Sequence, residues 1–413
     1  MEDSTGYGRP QNEPDGRMTA VGPGSPMGEL LRRYWQPVGL SADVKNKPVP
    51  TRILGEDLIL FRVADGSVGL VESRCCHRGT TLHYGKVEEN GIRCCYHGWL
   101  FDTKGHCLEM PCEPADADRR SFVRQPWYPV QEAHGVIFAY MGPPERMPRF
   151  RRFDMLEEQA ANPDLAILAS MGYGSGGHVY CPEIGLKTGE PVVDCNWLQL
   201  FENAMDPFHA YVLHMKFTGE QFGKSMGIVP EITWKETDLG VKSIQDRPLE
   251  SDKVFRRITE VMLPNIRYVA SVAVGERDDS FARGGNLTWV VPRDDTHSVF
   301  FSITTVGKNE DGSPQELRRQ RFEGGRSWDQ LSEEERRDMP GDIEAQAGQG
   351  PITIHRDEHL VTSDRGVMML RKRFKRQLDA MANGADPLGV EPGEGDEVLT
   401  TEAGNYRIEK TMA

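Results

Sequence analysis

No run of about eighteen apolar residues, the length a membrane-crossing helix needs, occurs in this sequence. The opening stretch, MEDSTGYGRPQNEPDGRM, has neither a basic start nor an apolar segment, so no export signal is expected and the expected compartment is cytoplasmic. Positive charge is also short, with 49 Lys+Arg against 63 Asp+Glu and a net charge of -14. That argues against nucleic acid as a partner, because phosphates call for a basic face. It leaves room for a small anionic substrate held by a local pair of arginines. Internal repeats are lacking too. Eight cysteines are present, four of them in the adjacent pairs Cys75-Cys76 and Cys94-Cys95 beside histidines. In a chain without an export signal, that clustering reads as metal binding before it reads as disulfides.

The 413 residues, 38% hydrophobic and 27% charged, suit a globular protein of about two or three domains. Residues 1–25, rich in Gly, Pro, Ser and acids, read as a flexible arm. From 26 to 150, short β-rich runs such as TRILGEDLILFRV, GIRCCYHGWLFD and GVIFAYMG follow one helical segment, MGELLRRYW. A second unit, 151–385, opens irregularly and then gives VVDCNWLQLFENAMDPFHAYVLH (192–214). The stripe Trp197, Leu200, Phe201 and Ala204 predicts a helix there, with a break at Asp206-Pro207. Strand patterns return over 230–306. Residues 307–350 are charged and Gly-rich and read as a surface excursion, and Ser363 to about Met381 reads as an amphipathic helix. The remainder, 386–413, reads as a Gly-rich acidic tail. The fold class expected is α+β: an N-terminal all-β domain inserted beside a catalytic domain in which helices lie on an antiparallel sheet.

Cys75 and His77 supply C-x-H, and Cys94 and His97 supply C-x-x-H, with sixteen residues between His77 and Cys94. Two cysteines and two histidines suit a tetrahedral zinc or a 2Fe–2S cluster with thiolates on one iron and imidazoles on the other. Each loop offers one ligand of each type, which favours the two-iron cluster. His83 and His106 fall outside the pattern and read as surface or packing residues. The second constellation is Glu202-Asn203-x-x-Asp206-x-x-His209-x4-His214. Two histidines on a bent helix can share one metal, and a carboxylate would complete the facial triad of non-haem iron oxygenases. Asp357, Glu358 and Asp364 are the downstream candidates. By itself, Asp364 also reads as a first-turn acid of its helix, and Asp206 as a carboxylate at the Pro207 turn.

CCHRG followed by YG, and then CCYHGWLFD, closely resembles the Rieske signature of ring-hydroxylating oxygenases. PMGELLRRYWQPV, GEDLILFR, CNWLQLFENAMDP, VPRDDTHSVFF and HLVTSDRGVMMLRKRF extend the resemblance over nearly the whole chain. It is to the α subunits of Rieske non-haem iron oxygenases, in the branch of phthalate dioxygenase and the 5,5′-dehydrodivanillate O-demethylase oxygenase component. One departure is the residue after each ligand cysteine: the family usually has proline, and here Cys76 and Cys95 stand there, read as non-ligand thiols. The resemblance implies a Rieske domain over 26–150 holding the 2Fe–2S cluster at Cys75, His77, Cys94 and His97. It implies a mononuclear iron held by His209, His214 and Asp364 in a catalytic domain over 151–385. It assigns catalytic roles to Asn203 and to Asp206, with Asp206 joining His97 of one chain to His209 of the next. It further implies a homotrimer fed by an NAD(P)H-dependent flavin and iron–sulfur reductase, directly or through a ferredoxin. The activity it implies is O-demethylation of a carboxylated methoxyaromatic, with ring dihydroxylation of phthalate-like acids as the alternative. Arg256, Arg257, Arg267 and Arg283 are candidate partners for the substrate carboxylate. A Rieske ferredoxin would end near residue 120, and a zinc-stabilised binding protein would not need the second histidine motif.

Overall fold

The computed structural model describes residues 10–114, 116–172, 180–181, 186–187, 191–218, 222–250, 252–270, 285–315 and 330–409. The N-terminal domain is built from three small antiparallel sheets. One pairs Gln36–Leu40, Val136–Ala139 and Val130–Ala133, and a second runs Val49–Ile53, Glu56–Arg62, Val68–Glu72 and Trp127–Tyr128. The third joins Lys86–Val87, Ile92–Arg93, Leu100–Phe101 and Cys107–Glu109. Its small apolar core, with Ile59, Phe61, Leu82, Ile92 and Phe101, also encloses Cys75 and Cys94.

The catalytic domain is one antiparallel sheet. In spatial order its strands are Leu165–Met171, Ser298–Gly307, Gly285–Pro292, Ile266–Ala270, Lys253–Met262, Gly240–Pro248 and Glu231–Glu236. Alternation sets its inner face. Along Gly240–Pro248 the residues Val241, Ser243, Gln245 and Arg247 are buried while Lys242, Ile244 and Asp246 between them are partly open. That face therefore changes along the strand from apolar to polar. The helix Arg365–Ala382 lies across the sheet through Val367, Leu370, Phe374 and Leu378, and Phe374 meets Trp197 with ring centres 5.6 Å apart.

Two expectations about the chain ends need correction. Residues 1–9 lie outside the described residues, but residues 10–25 are packed and do not form a free arm. Met18 and Val21 are fully buried, and Asn12 Nδ2 donates to Asp357 Oδ1 at 2.6 Å. The segment from 386 is not a loose tail either. Asp396–Leu399 pairs in parallel with Phe150–Phe153, and Gly404–Glu409 pairs with Lys253–Ile258 as a further strand of the catalytic sheet. One apolar core runs through both domains. Phe138 packs edge-on to Trp289 at 5.3 Å, and Asn265 Nδ2 donates to Gln36 Oε1 at 2.8 Å.

Candidate metal centres

The first site is one turn built twice. In the first loop the Gly79 N–H donates to Cys75 O (2.8 Å) and the Cys75 N–H to Thr80 O (2.9 Å). In the second the Gly98 N–H donates to Cys94 O (3.1 Å) and the Cys94 N–H to Trp99 O (2.9 Å). Each turn closes through a glycine at positive φ, +74° at both Gly79 and Gly98, a conformation that penalises a side chain. At Gly98 a Cβ would also lie 2.8 Å from the Pro111 ring. The two turns present Cys75 and Cys94 to each other, with both thiols buried.

Around them the backbone is arranged to receive negative charge. The N–H of His77 is directed at the Cys75 sulfur, and those of Tyr96 and His97 at the Cys94 sulfur. The Cys75 thiol holds Cys94 below the ordinary thiol value, with those N–H groups adding to the effect against burial. Such donors are what thiolate ligands of a cluster require. The His77 and His97 rings stand 4.6 Å apart, and His77 stacks on Trp99 at 4.2 Å. Burial, His97 and Arg78 hold His77 below the ordinary imidazole value, which favours the neutral form that binds metal. Gln125, fully buried, ties the first loop down: its Oε1 accepts from the Cys76 N–H (2.8 Å), and its Nε2 donates to Glu72 O and Arg74 O. Nothing in the sequence pattern distinguishes Gln125. Cys76 and Cys95 are exposed free thiols. His106 pairs with Asp102 (2.9 Å), and His83 packs against Tyr84.

The second site forms where the expected helix breaks. Helix Trp197–Glu202 passes through a tight turn, Asn203–Met205, to Asp206, whose carboxylate caps the next helix by accepting from the Phe208 N–H at 3.1 Å. Pro207 begins that helix, where its missing N–H costs nothing. The helix then widens into a π-helical turn, Leu213–Phe217. This extra width rotates His214 toward the face that carries His209. The Nδ1 of His209 is directed at the Asp206 carbonyl, which leaves its Nε2 free to face inward.

Both inward nitrogens meet the same carboxylate, that of Asp342: His209 Nε2 lies 3.5 Å and His214 Nε2 3.3 Å from Asp342 Oδ1. Among the described residues these three form the one His/Cys/Asp/Glu cluster whose atoms all lie within 4.8 Å of one another. Asp342 opens the short helix Asp342–Ala347. There Glu344, by accepting from the Gly341 N–H (3.0 Å), takes the capping role and leaves the Asp342 carboxylate to the histidines. Asn203 Nδ2 donates to Asp342 Oδ1 (3.2 Å) and lies 3.3 Å from His209 Nε2, and Gln346 Nε2 donates to the same carboxylate (3.3 Å). Gln199 anchors this helix by donating to Gln346 O (2.8 Å) and Gly350 O (2.9 Å). Two imidazoles and one carboxylate converging from one side are the donor set of a facial triad.

None of the three carboxylates expected from the sequence reaches the histidines. Asp364 accepts from the Val361 N–H at 2.7 Å and fastens the start of its own helix, so the expectation that it completes the triad is corrected by Asp342. Asp357 accepts from Asn12, and Glu358 pairs with Arg371. The S-D-R-G stretch still serves the site, through Gly366. A Cβ there would lie 2.3 Å from the Met205 carbonyl and from Trp234 Nε1, so glycine lets this helix close on the turn that carries Asn203. Arg371, one helix face further on, donates to buried Glu202 at 2.6 Å twice. Burial pushes Glu202 up, and the Arg371 guanidinium opposes it.

Beside the three ligand candidates lies a cavity of about 360 Å³, lined by Asp206, Ala210, Phe222, Met226, Val269 and the polar sheet face. Of the four candidate arginines, Arg257 and Arg267 line it. Arg256 lies on the opposite sheet face, paired with Asp246 at 2.6 Å, and Arg283 falls outside the described residues.

Residues 34–129 match the Rieske [2Fe-2S] domain family. The chain is 44% identical to the phenoxybenzoate dioxygenase subunit alpha of Ectopseudomonas oleovorans, over 97% of this chain and 93% of that protein. It is 31% identical to the 5,5'-dehydrodivanillate O-demethylase oxygenase subunit of Sphingobium sp. SYK-6, over 92% and 82%. The solved structure of Pseudomonas putida CBB5 NdmA with caffeine has the same fold, with a TM-score of 0.59 at 18% identity over 87% of this chain and 94% of that one. The chain thus belongs to the Rieske non-haem iron oxygenase α subunits, oxidoreductases that carry a 2Fe–2S cluster and a mononuclear iron.

Proposed function

We propose that this chain is the oxygenase component that O-demethylates a carboxylated methoxyaromatic, with O₂ as oxidant and electrons from an NAD(P)H reductase. The observation that carries the reading is the convergence of His209 Nε2, His214 Nε2 and Asp342 Oδ1 at the wall of a cavity large enough for a one- or two-ring acid. Asp342 is the proposed third ligand in place of Asp364. Phenoxybenzoate and dehydrodivanillate, the compounds in the names of two relatives, are both aromatic acids bearing ether oxygens. An iron held by the triad would supply O₂ activation, with the cluster as electron source.

The protein's own groups set the conditions for that chemistry. The Asp206 carbonyl fixes the tautomer of His209, and Asn203 and Gln346 orient the Asp342 carboxylate. Phe222, Met226 and Val269 give the cavity apolar walls that favour an aromatic ring over water. In this reading Asp206, half-exposed at this cavity, receives the partly exposed imidazole of His97 from a second copy. Such a contact would be head-to-tail, and a rotation that closes on itself would give the ring of a homotrimer. The balanced reaction is ArOCH₃ + O₂ + NAD(P)H + H⁺ → ArOH + HCHO + H₂O + NAD(P)⁺. Ring dihydroxylation is the second reading, favoured by the dioxygenase relative. Turnover of methoxybenzoates and 3-phenoxybenzoate with a reductase separates the two. Formaldehyde equimolar with a phenol is the expected result, and a diol or catechol without formaldehyde would give the second reading. Consumption of neither acid would refute both.

A further inference from the structure

The two ligand turns of the first site share a design but not a support. The second, which begins at Cys94, is the tip of a hairpin whose arms pair beneath it, Arg93 with Leu100 and Ile92 with Phe101. The first, which begins at Cys75, is closed by the isolated bridge of Arg74 with Thr81. The strand leading into it, Val68–Glu72, pairs along one edge with Trp127–Tyr128. That pairing stops for a chemical reason. The Glu72 N–H donates to Pro126 O (2.9 Å), but Pro126 has no N–H to return to Glu72 O.

The side chain of Gln125 takes over where the ladder ends. Its Nε2 donates to Glu72 O (3.0 Å) and to Arg74 O (2.7 Å), and its Oε1 accepts from the Cys76 N–H (2.8 Å). Spacings of two residues put these backbone groups on one edge of an extended chain, so a single amide stands in for a missing strand. Gln125 is completely buried, and its own N–H is held by Gly105 O (2.8 Å). Cys76 lies between Cys75 and His77, and the His77 N–H is directed at the Cys75 sulfur. The turn's own bonds give this loop its shape, and Gln125 fixes where the loop stands in the domain.

Resting on the reading of Cys75, His77, Cys94 and His97 as the cluster ligands, we infer that Gln125 is a positioning residue of the electron-carrying centre, acting through the Cys76 N–H on the donor aimed at Cys75. A donor directed at a thiolate favours the more negative, reduced state, so the aim of the His77 N–H bears on the reduction potential. Gln125 itself touches neither ligand sulfur in this arrangement. Cys76 contributes its backbone and not its thiol, and a proline at that position could not fill the role.

The test is EPR spectroscopy and redox titration of the cluster-containing chain. Gln125→Met, close in length but unable to make any of the three bonds, should shift the g values of the reduced cluster and lower its midpoint potential. It should also lose cluster iron to a chelator roughly 10-fold faster than wild type. Cys76→Pro removes the gripped N–H while keeping Gln125. It should shift both readouts in the same direction, and it remains readable if Gln125→Met folds poorly. Cys76→Ala keeps the N–H and should match wild type. Added to Gln125→Met, Cys76→Pro should change little further, because the bond it breaks is already gone. Wild-type g values and potential in Gln125→Met or in Cys76→Pro would overturn the inference, as would a shift in Cys76→Ala as large as that in Cys76→Pro. Cys94→Ala, measured alongside, tests the premise separately. It should show no cluster signal, and a retained signal would overturn the ligand reading and this inference with it.

Discussion

The two metal centres of this chain are built in opposite ways. The cluster site takes all four ligand candidates from Cys75–His97, on two turns of the same design, each closed by a positive-φ glycine. The proposed iron site takes two histidines from a broken helix and its carboxylate from a short helix that starts 128 residues after His214 (342 − 214). A ligand set held in one contiguous stretch is specified by local turn chemistry. A set assembled across the fold depends on packing, here on Gln199, Gly366 and Arg371.

The contrast is broken most severely by Cys94→Ala. With one of two thiolates gone the cluster should be lost, along with visible colour and all reductase-driven turnover, while the iron-site residues stay in place. Absorption spectra with acid-labile sulfide counts check this. Next in size, Arg371→Met strips the buried Glu202 carboxylate of its main partner. Breaking a buried pair on one side costs about 3–5 kcal/mol, so chemical denaturation should show a loss of that order. A stability loss below about 1 kcal/mol would mean that the iron helix is not held through this ion pair. Asn203→Leu removes a donor to Asp342 without removing a ligand, and should weaken iron affinity by about 10- to 100-fold, as read by competition with a chelator. The smallest effect is expected for Asp364→Ala, which removes a link at a helix start. The cost should be about 1 kcal/mol, with no change in iron content.

Legibility in the sequence followed the same division. The cluster turns, the helix break at Asp206-Pro207 and the helix near 363–381 could all be read, because each rests on local periodicity or on proline and glycine chemistry. Asp342 could not. It sits in a charged, Gly-rich stretch that looks like a surface excursion, and an acid opening a helix ordinarily reads as a capping or dipole residue. Glu344 fills that ordinary role and Asp342 does not. The inverse error concerned Asp364, whose S-D-R-G context marks close helix packing through Gly366. The chain ends misled for a related reason. Gly-rich acidic composition does not reveal that Gly404–Glu409 finds an open edge beside Lys253–Ile258.

The most direct test of the central claim, that Asp342 and not Asp364 completes the iron site, is a count of iron and sulfide in wild type, Asp342→Ala and Asp364→Ala. The expected result is that Asp342→Ala keeps its red-brown cluster spectrum and sulfide but loses the mononuclear iron, while Asp364→Ala matches wild type in both. Full iron in Asp342→Ala together with loss of the mononuclear iron in Asp364→Ala would contradict it.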